Sequence, residues 1–176
     1  MKPTSSPWWP RSEWPEHPQF PAQTVLLESH RTFRRIAVHL LERLHDITEL
    51  PELTMKRRAR LLYKLGLTFD DWQSAMRSHE RYEERRLYPL LERLYGANLG
   101  HLEVHHRALH QGADAVRLEV ARAREAAQAP EAEPGWPALE SALLGYRAQL
   151  QGHLQAEENA VIPLVLELPR AEFTQL

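Results

Sequence analysis

At 176 residues, with 43% apolar and 26% charged residues, the chain suits one globular domain with a single sizeable core. A net charge of -2 gives no general basic field for nucleic acid or an anionic membrane, and the absence of cysteine removes disulfides, iron–sulfur clusters and thiolate chemistry together. The sequence shows neither an apolar run of about 18 residues nor a signal-peptide apolar stretch at its start, so a cytoplasmic location without a membrane span is the expectation.

Residues 1–22 carry six prolines and three tryptophans, Trp8, Trp9 and Trp14, and read as an extended arm on the surface of the bundle that follows over residues 23–170. From residue 24 to about 51 the pattern becomes helical: Leu26, His30, Phe33, Ala37, Leu40, Leu41 and Leu44 recur at spacings of three and four, which puts one stripe on a core. Residues 53–65 predict a short basic crossover helix closed by Gly66, with the run Lys56, Arg57, Arg58, Arg60 as its solvated face. A second long helix, with Thr68 or Asp70 as its N-cap, carries Trp72, Met76, His79, Glu83, Leu87, Leu90, Leu91 and Leu94 inward and stops before Gly96. A third spans about 99–127 on Leu99, Leu102, His106, Leu109, Ala113, Val116 and Val120. After the Pro- and Gly-rich break at 129–137, a fourth runs from 138 to 168 on Leu139, Leu143, Tyr146, Leu150, His153, Glu157, Val161 and Leu164. Four amphipathic helices with no two-residue alternation between them predict an all-α, antiparallel four-helix bundle.

The two halves repeat. His79, Glu83, Glu84, Pro89 and Leu90 overlie His153, Glu157, Glu158, Pro163 and Leu164 at an offset of 74 residues, and His30 overlies His106 at 76. The repeated proline is not what amphipathic periodicity selects, because proline inside a helix costs on the order of 3 kcal/mol; a kink closing the bundle end beneath the glutamates is its expected effect.

Residues four apart share a helix face, so His79 with Glu83, and His153 with Glu157, point together into the core. A carboxylate buried without a partner costs several kcal/mol on the order-of-magnitude scale. The inner stripes supply no Lys or Arg at those levels, so metal ions are the expected partners. Imidazole and carboxylate suit iron or manganese, with zinc or copper less favoured. The expected set is His30, His79, Glu83, His106, His153 and Glu157, with His30 and His79 on one ion, His106 and His153 on the other, and both glutamates bridging. His106 is preferred to His105 because it centres on the stripe and aligns with His30. Glu84 and Glu158 are expected to be ordinary surface acids, and Trp72, Tyr82 and Tyr146 to pack in the core or hydrogen-bond to the site. A rival scheme using Glu42 with His45 and Glu103 with His106 leaves His30, His79 and His153 without a role.

This layout of two His and two H-x-x-x-E elements resembles the hemerythrin-like, or HHE cation-binding, family over residues 25–168. The spacing is especially similar to the C-terminal di-iron domain of the repair-of-iron-centres proteins, although their Cys-containing N-terminal domain has no counterpart here. The resemblance implies two oxo- or hydroxo-bridged iron ions and reaction with dioxygen, nitric oxide or peroxide. It also raises His110 as a further ligand, after the H-x-x-x-H of oxygen-carrying hemerythrins. The leading expectation is a monomeric binder or sensor of dioxygen or nitric oxide. The alternatives are a di-iron oxygenase or peroxidase served by an electron donor, iron handling, and an interaction module worked by the aromatic arm.

Overall fold

The structure, a computed structural model, describes residues 10–50, 52–129 and 135–173. Its long helices are α1 (Phe20–Glu49), α2 (Met55–Tyr82), α4 (Gly100–Ala126) and α5 (Trp136–Leu166). A π-helical turn, Glu83–Leu87, joins α2 to α3 (Tyr88–Tyr95), and a short α6 (Arg170–Phe173) follows α5. Helix α1 packs on α2 and α5, and α4 packs on the same two, which closes the four into a ring. The fold is the all-α bundle that the four stripes require. None of its helices, among the described residues, is long and apolar enough to cross a membrane.

The stripes bury in register. Phe33, Ala37, Leu40, Leu44 and Ile47 of α1 join Leu62, Leu65, Phe69, Trp72 and Met76 of α2, Leu109, Val116 and Val120 of α4, and Leu139, Leu143 and Leu150 of α5 in one large cluster. A second cluster, from Leu87, Tyr88, Leu91, Leu99, Leu102, Val161 and Val165, fills the other end. Each buried Leu or Val contributes roughly 1.5 to 3 kcal/mol. Between the two clusters the stripes turn polar.

Three local expectations are corrected. The separate crossover helix does not exist, because residues 55–65 are the opening turns of α2 and the chain stays helical through Gly66. A Cβ at Gly66 would come within 3.1 Å of the Val120 side chain, so this glycine serves close packing between α2 and α4 instead of ending a helix. Thr68 and Asp70 therefore lie inside α2, and its N-cap is Thr54, whose Oγ1 accepts from the Arg57 N–H at 3.3 Å. In the basic run, Arg58 is not a solvated charge: its guanidinium donates to the carbonyls of Ile47 (2.5 Å), Thr48 (2.7 Å), Leu50 (2.7 Å) and Leu53 (3.2 Å), satisfying the open C-terminal end of α1.

The arm also differs from the extended form. Residues 1–9 and Pro51 lie outside the described part, but Arg11–Glu16 form a 3-10 helix, and α1 begins at Phe20. Trp14, 4% exposed, anchors this segment on Leu27, Ile162 and Leu166. At the repeated prolines the two halves part. Before Pro89 the helix opens into the π turn, where the Tyr88 N–H reaches the Glu83 carbonyl five residues back; α5 passes through Pro163 and ends three residues later. Gly96 closes α3 in the left-handed region at φ 64°.

Replacing Arg58 with Ala should cost about 1 to 2 kcal/mol, the usual consequence of leaving helix-end carbonyls without donors. Arg58→Lys should recover little of it, since one ammonium cannot span four carbonyls. Urea denaturation of the two variants checks both.

Candidate metal centre

The polar layer between the two clusters is made by His30 of α1, His79 of α2, Glu83 at the start of the π turn, His106 of α4, and His153 and Glu157 of α5. The helices bring all six sequence-expected residues to one place. His30 Nε2 lies 3.1 Å from His79 Nε2, and the His106 and His153 rings are 4.6 Å apart. Glu83 straddles the pairs, with Oε1 2.7 Å from His79 Nε2 and Oε2 3.6 Å from His106 Nε2. Glu157 Oε2 does the same from the other side, 3.4 Å from His30 Nε2 and 3.5 Å from His153 Nε2. Five of the six side chains are essentially buried, and His79 is 13% exposed.

Behind this layer lie two residues that the sequence reading turned outward. Glu158 is 1% exposed and accepts from His30 Nδ1 at 3.1 Å, from Arg34 at 2.7 Å and from Arg11 at 2.5 Å. Glu84, 37% exposed, lies 2.7 Å from His106 Nδ1. An Nδ1–H donated to a carboxylate fixes the tautomer and leaves the Nε2 lone pair facing the layer's centre. The second glutamate of each motif thus orients a histidine of the opposite half. The signal for Glu158 was present as Leu154, Glu158, Ile162 and Leu166, a second stripe at spacing four that is apolar except for the glutamate. It lies under the 3-10 segment, which periodicity within α5 alone does not reveal.

The hemerythrin HHE cation binding domain model matches residues 22–165, most of the chain. The chain belongs to the hemerythrin HHE cation-binding family. No curated protein and no solved structure matches it. As a hemerythrin-like protein it binds metal, and His30, His79, Glu83 and Glu157 offer ligand atoms that all lie within 4.8 Å of one another. The donor set fits a cation on physical grounds as well. Both Glu83 oxygens, Glu157 Oε2 and His106 Nε2 are buried with no hydrogen-bond partner, although a facing atom lies close to each. Lone pairs that converge on a common space instead of on a neighbour's proton are the arrangement an ion satisfies.

The remaining candidates of this hemerythrin-like chain separate cleanly. Glu42, His45 and Glu103 are exposed, which removes the rival scheme. His110 points away and pairs with the buried Glu80 at 2.7 Å. His105 sets its ring edge on His153 at 5.9 Å without entering the layer. Trp72 and Tyr146 pack with Phe69 at 5.5 to 5.8 Å, and Tyr82 lies half exposed at the rim. The phenol that does reach the site is Tyr88, whose hydroxyl donates to Glu157 Oε1 at 2.9 Å while its ring stacks over His106. In the second half Ile162 stands at its repeat position, so apolarity alone masks the difference.

Burial pushes His79 down to about 4 and His153 to about 3, with the Glu157 charge only partly opposing it, so both rings are neutral at pH 7. His30 goes the other way: burial opposes its charge, but hydrogen bonds to Glu157 and Glu158 outweigh it and raise the ring. Burial, then the Glu157 charge, raises Glu83 well above the carboxylate range. Glu157, also deeply buried, is held low by His30. The metal-free centre therefore keeps protons on Glu83 and His30 that cations displace.

Above pH 6.5 His79 and His153 are neutral in the folded and unfolded states alike, while Glu83 and His30 retain protons that the unfolded chain releases. A raised folded pKa gives stability that is lost as pH rises. Metal-free protein should lose up to about 1.4 kcal/mol per pH unit per group as pH rises above 6.5, until each group gives up its proton in the folded state as well. Thermal unfolding after chelation, across that range, should show this slope reduced in Glu83→Gln; an unaltered slope would contradict the assignment.

Proposed function

We propose that the six residues hold a non-haem di-iron centre that binds dioxygen or nitric oxide, in the manner of a carrier or sensor. The carrying observation is the pair of buried glutamates, each straddling two histidines, with three of their oxygens, both of Glu83 and Oε2 of Glu157, left without a hydrogen-bond partner. His30 with His79 and His106 with His153 would each hold one ion, with Glu83 and Glu157 between them. Two such ions would supply open positions for a diatomic ligand. The protein residues do the rest: Glu158 and Glu84 orient two rings, Tyr88 holds the Glu157 carboxylate by a hydrogen bond, and the apolar clusters above and below keep bulk water away.

His79, 13% exposed, is the route outward. It is among the residues lining a shallow, open groove between α1 and α2, with Val25, Phe33, Ala75, Tyr82 and the hydroxyls of Ser29 and Thr32. An exposed His79 edge beside this open groove would also let a small organic molecule approach the layer, which is the observation behind oxidative turnover of a small substrate as the second reading.

Metal analysis and visible absorption of protein purified without chelator test the proposal. About two irons per chain, with charge-transfer bands that shift on adding azide or nitric oxide, are expected. His79→Ala should lose iron and bands, while His110→Ala, altered outside the layer, should keep them. Protein that takes up no metal after anaerobic iron loading would sink the reading. Decay of the oxygenated form accelerated by one organic compound would move it to the enzyme.

A further inference from the structure

The duplication makes the two halves of the layer equivalent in ligand type, and the structure makes them unequal in support. Among the described residues, the one group with four ligand atoms already within 4.8 Å of one another is His30, His79, Glu83 and Glu157. The short approach in the layer is His79 to Glu83 at 2.7 Å; His30 lies 3.4 Å from Glu157, about as far as His106 and His153 lie from the same glutamates at 3.6 and 3.5 Å, and His153 Nδ1 is buried with no hydrogen-bond partner.

The outer carboxylates differ in the same direction. Glu158, 1% exposed, is locked by the guanidiniums of Arg11 and Arg34 at 2.5 and 2.7 Å. Glu84 stands partly in water against His106. The cause lies in the repeat: Arg34, four residues after His30, falls where His110 follows His106, and Leu154 falls where Glu80 stands. Arg34 donates to Glu158, whereas Glu80 draws His110 to itself at 2.7 Å and away from Glu84. The first half gains a further clamp with no counterpart in the duplication. Arg11 comes from the 3-10 segment pinned by Trp14, and its guanidinium lies 5.4 Å from that ring as it reaches Glu158.

We infer that the two metal positions fill in order, the His30/His79 position first and firmly, the His106/His153 position second and exchangeably, with the N-terminal segment acting through Arg11 as a lock on the first. This rests on the reading of the six residues as ligands. Arg11, Arg34 and Glu158 are positioning residues: a fixed, desolvated carboxylate behind His30 holds the ring in its ligating orientation and raises its basicity, and a half-solvated Glu84 does so more weakly. With metal limiting, the chain would carry one ion in the first position, leaving a second that loads and unloads.

Anaerobic titration of the metal-free full-length chain with cobalt(II), followed by absorption and by release to a chelator, tests this. Two steps separated by about tenfold or more are expected. Arg11→Ala and Glu158→Gln should weaken the first step by roughly 10 to 100-fold and leave the second, and Glu84→Gln should do the reverse. A gain of affinity guards against variants that simply misfold: His110→Arg with Glu80→Leu installs the first half's clamp in the second half and should draw the two steps together. Two ions binding in one indistinguishable step, or Arg11→Ala weakening both steps alike or neither, overturns the ordering while leaving the di-metal reading intact. No cobalt bound by the unaltered chain overturns both.

Discussion

Two carboxylates that water cannot reach, Glu83 and Glu157, are the constraint around which this bundle is organised. An unpaired buried carboxylate is among the costliest things a core can contain. The chain meets that cost with four imidazoles in the same layer and with space for cations among them. The apolar clusters on either side, built from the same four stripes, raise the strength of every charge interaction in the layer by keeping the local dielectric low. Stability and site are therefore one problem: the same helix spacing that packs the two apolar clusters brings the buried acids and imidazoles together.

The inner layer was legible because its geometry is local. A histidine and a glutamate four apart must share a face, and a stripe that carries them inward must bury them. Repetition of the motif then set the count of elements and their pairing. What escaped depends on other parts of the chain. Glu158 looked like a surface acid because the residues that cover it, Arg11 and Arg34, come from elements remote in sequence. Arg58 looked like one charge in a basic run because its partners, the last carbonyls of α1, have no side-chain signature. Gly66 looked like a helix stop, since its reason for being glycine is the approach of Val120 from another helix.

The same distinction separates the two halves structurally. The histidines and glutamates of the layer repeat, and their surroundings differ by single positions: Tyr88 against Ile162, Arg34 against His110, Glu80 against Leu154. None of these changes touches the pattern by which the family is recognised. Each alters how a residue of the layer is held: a hydrogen bond on Glu157, a guanidinium behind Glu158, an acid that takes His110 out of play. Inequivalence between formally equivalent positions is thus written in residues that a motif does not include.

The crossed contacts carry one more consequence. Glu158 of α5 serves His30 of α1, and Glu84 of the first hairpin serves His106 of the second. Neither hairpin alone contains both members of such a pair, and neither can close a ring of four helices. An unduplicated hairpin of this kind could complete its layer only by meeting another copy of itself about a two-fold axis, each lending its second glutamate to the other. Within one chain, each hairpin therefore does for the other what the two copies of a symmetric dimer do for each other.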